Sequence, residues 1–243
     1  MSATVRIIVG FIALATMLGI VETTSAQSRP NVAWCDDPKA TDDQTIAGCT
    51  AEIESGGLSG NSLAIAFYNR GLAYANKGQT DRAIQDYDQA IRLDPKYADV
   101  FVARGNAYND KGQTDRAIQD FDQAIRLDPQ NAGYWDARCW GRALAGQLEQ
   151  AIKDCDESLR LKPNDANTLD SRGFAYLKSG AFDKAIADYD AALKINPKLA
   201  SSLYGRGLAK QKKGDKAGAD ADVAAAKAID AKIAQTFAGY GVK

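Results

Sequence analysis

The four cysteines are the side chains in this sequence best suited to chemistry, two within residues 35–49 and two within residues 139–155. A thiol can serve as a nucleophile, a metal ligand or half of a disulfide. No two cysteines have C-x-x-C spacing, and the chain contains no histidine. A tetrahedral zinc site would then need all four thiolates from two distant regions, so we expect no metal site. Disulfides and reduced, buried thiols remain as interpretations.

Other candidates for catalysis are weak. The absence of histidine removes the commonest general base. The carboxylate pairs Asp36–Asp37 and Asp42–Asp43 stand in loop or helix-start positions, where solvated caps are the simpler interpretation. The glycine-rich segment 56–60 lacks the lysine and the strand of a phosphate-binding loop. We expect no catalytic residue and no cofactor, and an enzyme with a histidine-free site is only a third hypothesis for function.

Composition and charge indicate a globular protein without a polyanionic partner. The 243 residues are 45% hydrophobic and 25% charged, which is sufficient for a buried core. Thirty basic and 31 acidic residues give a net charge of −1, so no overall charge attracts nucleic acid.

The first 26 residues have the pattern of a secretory signal. A short basic segment precedes the apolar run from Ile7 to Val21, and small residues follow around Ala26. The run is too short to span a bilayer comfortably, and we expect cleavage near Ala26, with an uncleaved membrane anchor as the alternative. The mature protein would be exported, either periplasmic or secreted. In such an oxidising compartment four cysteines favour disulfides.

An internal repeat organises the rest of the chain. The segment 77–95, KGQTDRAIQDYDQAIRLDP, returns with one change at 111–129, a shift of 34 residues. Arginine, glycine and alanine recur at the same step, for example from Arg70 to Arg104 and from Gly78 to Gly112. The period divides the chain into five units: 64–97, 98–131, 132–165, 166–199 and 200–233.

Each unit is predicted to be a helical hairpin. Phe67, Gly71 and Tyr74 are spaced as on one face of a helix, and a second periodic segment follows the glycine at position 78. Proline ends the second helix of the first four units, beginning with Pro95.

A 34-residue helix-turn-helix with small, aromatic and proline residues in these rows closely resembles the tetratricopeptide repeat family over residues 64–233. The resemblance implies an all-α solenoid, in which hairpins stack as a right-handed superhelix. Some residues depart from the rows: Cys139, Cys155, Arg142, Lys210 and Ala231. The fifth unit looks like a terminal cap whose second helix runs on toward Phe237, and residues 234–243 are expected to form a helical extension and tail.

Residues 27–63 align in part with a second repeat helix, which places Cys49 in the row of Tyr87. We interpret this segment as a degenerate helical hairpin followed by a linker. The similar separations within the two cysteine regions favour Cys35–Cys49 and Cys139–Cys155 disulfides, each joining two antiparallel helices. The chain also resembles small exported bacterial proteins that carry a cysteine-containing segment before a tetratricopeptide array.

Two charged rows recur in phase, with an aspartate 16 residues after each arginine. The rows are Arg70, Arg104, Arg138, Arg172 and Arg206, and Asp86, Asp120, Asp154, Asp188 and Asp222. We expect hydrogen-bonded ion pairs that align the helices. Arginines free to bind acidic ligands are the alternative.

The family resemblance implies a concave groove, lined by the first helices, that receives a peptide or a partner helix. It maps the wall onto Tyr68, Leu72, Val102, Asn106, Asp136, Trp140, Asp170, Phe174, Tyr204 and Leu208. Lateral packing between units is the alternative for the apolar positions. A known carboxylate clamp of the family is matched only by Asn106, and Asp136 and Asp170 would repel its ligand. We expect a non-enzymatic scaffold that binds a protein or peptide in the cell envelope, with a self-associating structural protein as the second hypothesis.

Overall fold

The computed structural model describes residues 32–242, which form one 3₁₀ turn, twelve α-helices and no β-strand. The 3₁₀ turn spans Val32–Cys35. The helices are α1 Asp42–Ser55, α2 Gly60–Asn76, α3 Thr80–Leu93, α4 Ala98–Asp110, α5 Thr114–Leu127, α6 Ala132–Leu144, α7 Leu148–Leu161, α8 Ala166–Lys178, α9 Phe182–Ile195, α10 Ala200–Lys212, α11 Lys216–Ile229 and α12 Ile233–Gly239. Across residues 32–242, no helix combines the length and apolar character needed to cross a membrane. The predicted signal peptide and its cleavage site lie outside the described residues.

Helices α2 to α11 form five hairpins with very short connections. At the first connection Gly78 has a φ of 69°, a left-handed conformation that glycine adopts without steric cost. The amide of Gln79 donates to the carbonyl of Tyr74 at 2.9 Å and closes the end of α2. Glycines at the other four connections have φ between 70° and 87°. The all-α fold predicted from the period is therefore confirmed.

The hairpins stack into a curved solenoid. Successive first helices contact one another, from α2 with α4 through α8 with α10, and each second helix contacts the first helix of the next hairpin. Within residues 32–242, second helices do not contact other second helices. The first helices therefore lie on the inner, concave side of the stack, and the second helices lie on the outer side.

Glycine and aromatic rows form the close contacts inside the hairpins. A Cβ atom added to Gly71 would lie 2.6 Å from the ring of Tyr87, and one added to Gly105 would lie 2.5 Å from the ring of Phe121. Tyr87 and Phe121 are 1% and 0% exposed. The absence of a side chain at these glycines lets an aromatic ring lie directly on the backbone of the facing helix.

The N-terminal segment differs from the predicted helical hairpin. Its first arm is the single 3₁₀ turn Val32–Cys35, and only its second arm, α1, is an α-helix. Thr41 caps α1 through a capping box with Gln44. Helix α1 packs on α2 as a second helix would pack on the following unit. Helix α2 begins at Gly60, earlier than the expected start of the first unit at residue 64.

The C-terminal segment also differs from its prediction. The expectation that the second helix of the fifth unit continues toward Phe237 is wrong, because α11 ends at Ile229 and a separate helix begins at Ile233. The side chain of Asp230 accepts a hydrogen bond from the amide of Lys232 at 2.8 Å, which stabilises the turn between the two helices.

Candidate functional site

The ten predicted groove residues lie on the first helices α2, α4, α6, α8 and α10. Two parts of this concave wall have different surroundings. We call Tyr68, Leu72, Val102 and Asn106 the open half. We call Trp140, Phe174, Tyr204 and Leu208 the covered half, because Phe237 of α12 and Tyr240 just beyond it pack against the three aromatic members.

Aromatic contacts hold α12 on the covered half. The ring centroids of Tyr240 and Trp140 are 5.2 Å apart, and those of Phe237 and Tyr204 are 4.9 Å apart. Phe174 lies between these contacts, with ring centroids 4.8 Å from Trp140 and 5.8 Å from Phe237. Such tilted and edge-on pairs add to the stabilisation from apolar burial.

The covered half is not a free surface in this structure. Phe174 is 1% exposed and Leu208 is 5% exposed. The prediction that these two side chains line an open groove is corrected, because Phe174 packs against Phe237 of α12 and Leu208 is buried in the same apolar cluster. Trp140 and Tyr204 are partly buried beneath the same helix.

A cavity of about 250 Å³ remains between α12 and the wall. Its lining includes Trp140, Asp170, Phe174, Thr236 and Phe237. The Ser202 hydroxyl donates to Asp170 Oδ1 at 2.5 Å. Burial raises the pKa of Asp170 to about 6, since an apolar enclosure disfavours the charged carboxylate.

The neighbouring acidic residue of the wall, Asp136, is in a similar environment. Its Oδ1 atom is buried and has no hydrogen-bond partner among the described residues. Burial raises the pKa of Asp136 to about 6, although the Ser171 and Thr168 hydroxyls act in the opposite direction. The charge of Asp170 also raises this pKa. Two carboxyl groups at the centre of the wall are therefore destabilised as anions.

Asp170→Asn is expected to raise the free energy of unfolding by about 2 kcal/mol at pH 7.5 and to leave it nearly unchanged at pH 4. A raised pKa means that the folded chain binds the proton more tightly than the unfolded chain. The contribution of Asp170 to stability therefore falls as the pH rises from about 4 to 6. Other titratable groups near this carboxyl are Asp136, Tyr189 and Tyr240. Urea unfolding at both pH values measures the effect.

Asp220→Asn is the matched control for that measurement. Asp220 is an exposed residue within α11, so its replacement is expected to change stability by less than about 0.5 kcal/mol at either pH. Equal effects of the two substitutions, or a loss of stability in Asp170→Asn at pH 7.5, would contradict an unfavourable buried charge at Asp170.

The open half faces solvent at the other end of the wall. Leu72 is 36% exposed, Asn106 is exposed, and Tyr68 and Val102 are partly buried. Leu72 also lines a hollow of about 410 Å³ between α2 and the N-terminal segment, together with Asp36 and Asp37. This end of the wall combines an exposed apolar side chain with acidic neighbours.

The arginine row forms a continuous ladder between the two helical layers. Arg104 donates through Nε and Nη2 to Asp120 at 2.8 and 2.7 Å, and through Nη1 to Asp88 at 2.6 Å. Asp120 belongs to the same hairpin, whereas Asp88 belongs to the preceding one. The same two-sided pattern occurs at Arg138, Arg172 and Arg206. Arg70 pairs with Asp86 and donates its remaining bond to Thr50 of α1.

The ladder occupies the arginines that could otherwise bind an acidic ligand. All five arginines donate to the aspartate of their own hairpin, and those aspartates are between 3% and 7% exposed. In the third and fifth hairpins a second cation joins the pair: Arg142 donates to Asp154 at 2.6 Å, and Lys210 donates to Asp222 at 2.8 Å.

The cysteines form two disulfides, with the pairing that the sequence favoured. Cys139 and Cys155 join α6 to α7 with their Cα atoms 5.4 Å apart, at the positions where the first, second and fourth hairpins place a glycine against an aromatic ring. Cys35 and Cys49 join the 3₁₀ turn to α1. The first link therefore does not connect two antiparallel helices as expected. Among residues 32–242 no group of three or more His, Cys, Asp or Glu side chains is arranged to hold a metal ion.

Sequence reasoning missed three features of the site. The backward acceptors of the ladder form their own row at the 34-residue step: Asp88, Asp122, Asp156 and Asp190. Lys178 lies against Phe174 at 5.6 Å from its ring centroid and donates to the carbonyl of Ala143 at 2.9 Å. The repeat period could have indicated the aspartate row, but it contains no signal for the return of Phe237 and Tyr240 to the wall.

Family models match the first two repeats and a segment that spans parts of the fourth and fifth. A model described as "Tetratricopeptide repeat" matches residues 64–97 and 98–131, and a second, described as "TPR repeat", matches residues 173–214. A comparison with curated proteins gives no match.

Solved structures with the same architecture cover most of the chain. The crystal structure of MamA protein is 24% identical with a TM-score of 0.55, covering 71% of this chain and 94% of its own. YrrB, described as a TPR protein with an unusual peptide-binding site, is 22% identical with a TM-score of 0.54, covering 76% and 93%. PilW, a type IV pilus biogenesis factor, is 19% identical with a TM-score of 0.64, covering 70% and 78%. The matched segments show that residues 64–131 and 173–214 consist of tetratricopeptide repeats, and the stacked hairpins give the chain the fold of a tetratricopeptide repeat solenoid.

Proposed function

We propose that the protein is an exported, non-enzymatic scaffold that binds a protein or peptide segment on its concave wall in the cell envelope. The observation that carries this proposal is the open half of the wall, where Leu72 and Asn106 face solvent beside the partly buried Tyr68 and Val102. Aromatic and aliphatic side chains on a rigid concave surface are suited to anchoring a partner. The description of YrrB as a peptide-binding tetratricopeptide protein supports the same use of the fold.

Export is supported by the two disulfides and by the signal-like first 26 residues. Disulfides persist mainly in oxidising compartments outside the cytosol. The acidic residues Asp36 and Asp37 near Leu72 would favour a neutral or basic partner segment over an acidic one.

Leu72→Asp is expected to reduce partner recovery from envelope extracts at least ten-fold, because it places a charge at the exposed apolar position of the open half. Quantitative mass spectrometry after affinity capture provides the measurement. Ile195→Asp is the matched control, since Ile195 is 47% exposed at the end of a second helix on the outer layer. Equal recovery by both variants would contradict binding at the open half. Light scattering that finds only self-associated protein, without a captured partner, would favour the structural alternative.

A further inference from the structure

Helix α12 does not continue the stack, although it stands where a sixth unit would begin. Four repeat steps carry Ala98, the start of α4, to residue 234, within one residue of the start of α12. A further first helix at the end of a solenoid would contact only its neighbours. Helix α12 packs on α10 and α11, yet Tyr240 just beyond it reaches Trp140 in the third hairpin. The C-terminal segment thus lies across the inner wall of three hairpins.

The segment contacts the wall in the way that a helical ligand contacts a groove. Ile233 and Phe237 are 5% and 3% exposed, and Tyr240 packs against both Trp140 and Phe174. These three anchors follow the i, i+4, i+7 spacing by which amphipathic helices enter apolar grooves. The covered half is therefore a helix-binding surface that is filled by a segment of its own chain.

Two observations indicate that α12 can be displaced. A helix of seven residues is too short to be stable without packing, so α12 depends on these few anchors. The partly buried Asp170 beside α12 also has only serine hydroxyls as its partners, and it forms no ion pair within residues 32–242. The cavity beside Asp170 is lined by Thr236 of α12, which supplies no cation.

We propose that α12 is an internal occupant of a binding site for an amphipathic helix, and that the site prefers a partner helix with two aromatic residues three positions apart and a lysine or arginine at Asp170. Such a helix would repeat the contacts of Phe237 and Tyr240 and would add the ion pair that α12 lacks. This inference rests on the proposed function, because it assigns a partner class to the covered half of the same wall.

The test uses a fluorescent peptide of residues 230–243 and the purified full-length chain. Phe237→Ala/Tyr240→Ala loosens α12 in the host, and this host is expected to bind the peptide at least ten-fold more tightly than wild type. A control peptide with alanine at both aromatic positions should bind neither host. Equal binding of the native peptide to the two hosts, or binding of the control peptide, would overturn the proposal.

A second peptide tests the preference for a cation. Thr236→Lys in the peptide is expected to tighten binding to the loosened host at least ten-fold, because the ammonium group reaches Asp170. The gain should disappear when the host also carries Asp170→Asn. No gain, or a gain that persists with Asp170→Asn, would contradict the proposed partner class.

Hydrogen exchange on the wild-type chain keeps the proposal testable even if the loosened host folds poorly. Amides of α12 are expected to exchange at least ten-fold faster than those of α8 and α10, because α12 opens without unfolding of the stack. Equal protection of the three helices would overturn displacement. Failure of the proposed function would be detected in a different experiment, as equal partner recovery by the Leu72→Asp and Ile195→Asp variants.

Discussion

Replacing Asp154 with alanine is expected to destabilise the protein by about 3 to 5 kcal/mol. Asp154 is 3% exposed and accepts bonds from Arg138 at 2.8 and 2.7 Å and from Arg142 at 2.6 Å. Its removal leaves two partly buried cations without their shared acceptor. The free energy of unfolding in guanidinium chloride measures the loss.

Asp122→Ala is the matched control, because it removes a carboxylate from the same arginine. Asp122 accepts a single bond from Arg138 at 2.7 Å, and its side chain is 35% exposed. Exposed pairs of this kind contribute roughly 0 to 1 kcal/mol, so the control should lose no more than that. A loss in Asp154→Ala as small as in the control would show that the ladder does not depend on its buried member.

Cys139→Ser/Cys155→Ser is expected to destabilise the oxidised protein by about 3 kcal/mol. The link closes a loop with a sequence separation of 16 between the two cysteines, and its removal enlarges the unfolded ensemble. Both cysteines are 0% exposed, so the serine hydroxyls would also be buried. Equilibrium unfolding without reductant measures the loss, and peptide mapping of the unreduced wild type verifies both links.

The neighbouring hairpins suggest a matched pair of variants. Cys139→Gly/Cys155→Tyr restores the glycine and aromatic contact seen between Gly71 and Tyr87, and we expect it to regain part of the lost stability. Cys155→Tyr alone should be the least stable of the cysteine variants, because Cys139 keeps its Cβ atom. At the equivalent position of the first hairpin, a Cβ added to Gly71 would lie 2.6 Å from the Tyr87 ring. Equal stability of these two variants would contradict the equivalence of the disulfide and the ring contact.

The periodic features of the fold could be predicted from the sequence because each unit repeats the same local contacts. Gly78 marks the hairpin turn, and the rows that begin with Arg70 and Asp86 lie opposite each other at hydrogen-bond distance. A residue that recurs every 34 positions has similar neighbours in every hairpin. Its contacts in one hairpin therefore predict its contacts in the others.

Apart from the backward aspartate row of the ladder, the features that the sequence did not predict are those that occur once. Cys35 lies in a 3₁₀ turn instead of an α-helix, in a segment outside the five units that the period defines. The contact between Trp140 and Tyr240 joins residues one hundred positions apart. No period relates these residues, and apolar burial on the wall determines where α12 lies. Sequence reasoning therefore treated the wall as open throughout, whereas α12 covers part of it.

The arginine ladder also gives the array a polarity. Each arginine from Arg104 onward reaches back to an aspartate of the preceding hairpin, so every junction needs a forward arginine and a backward acceptor. One repeat step beyond Arg206 the sequence has Tyr240 instead of an arginine. One step beyond the last backward acceptor, Asp190, it has Ala224 instead of an aspartate. A hairpin copied into the interior of the array would find both groups at each junction. One appended after the fifth hairpin would bring an arginine without an acceptor, so lengthening the solenoid at that end would first require Ala224→Asp.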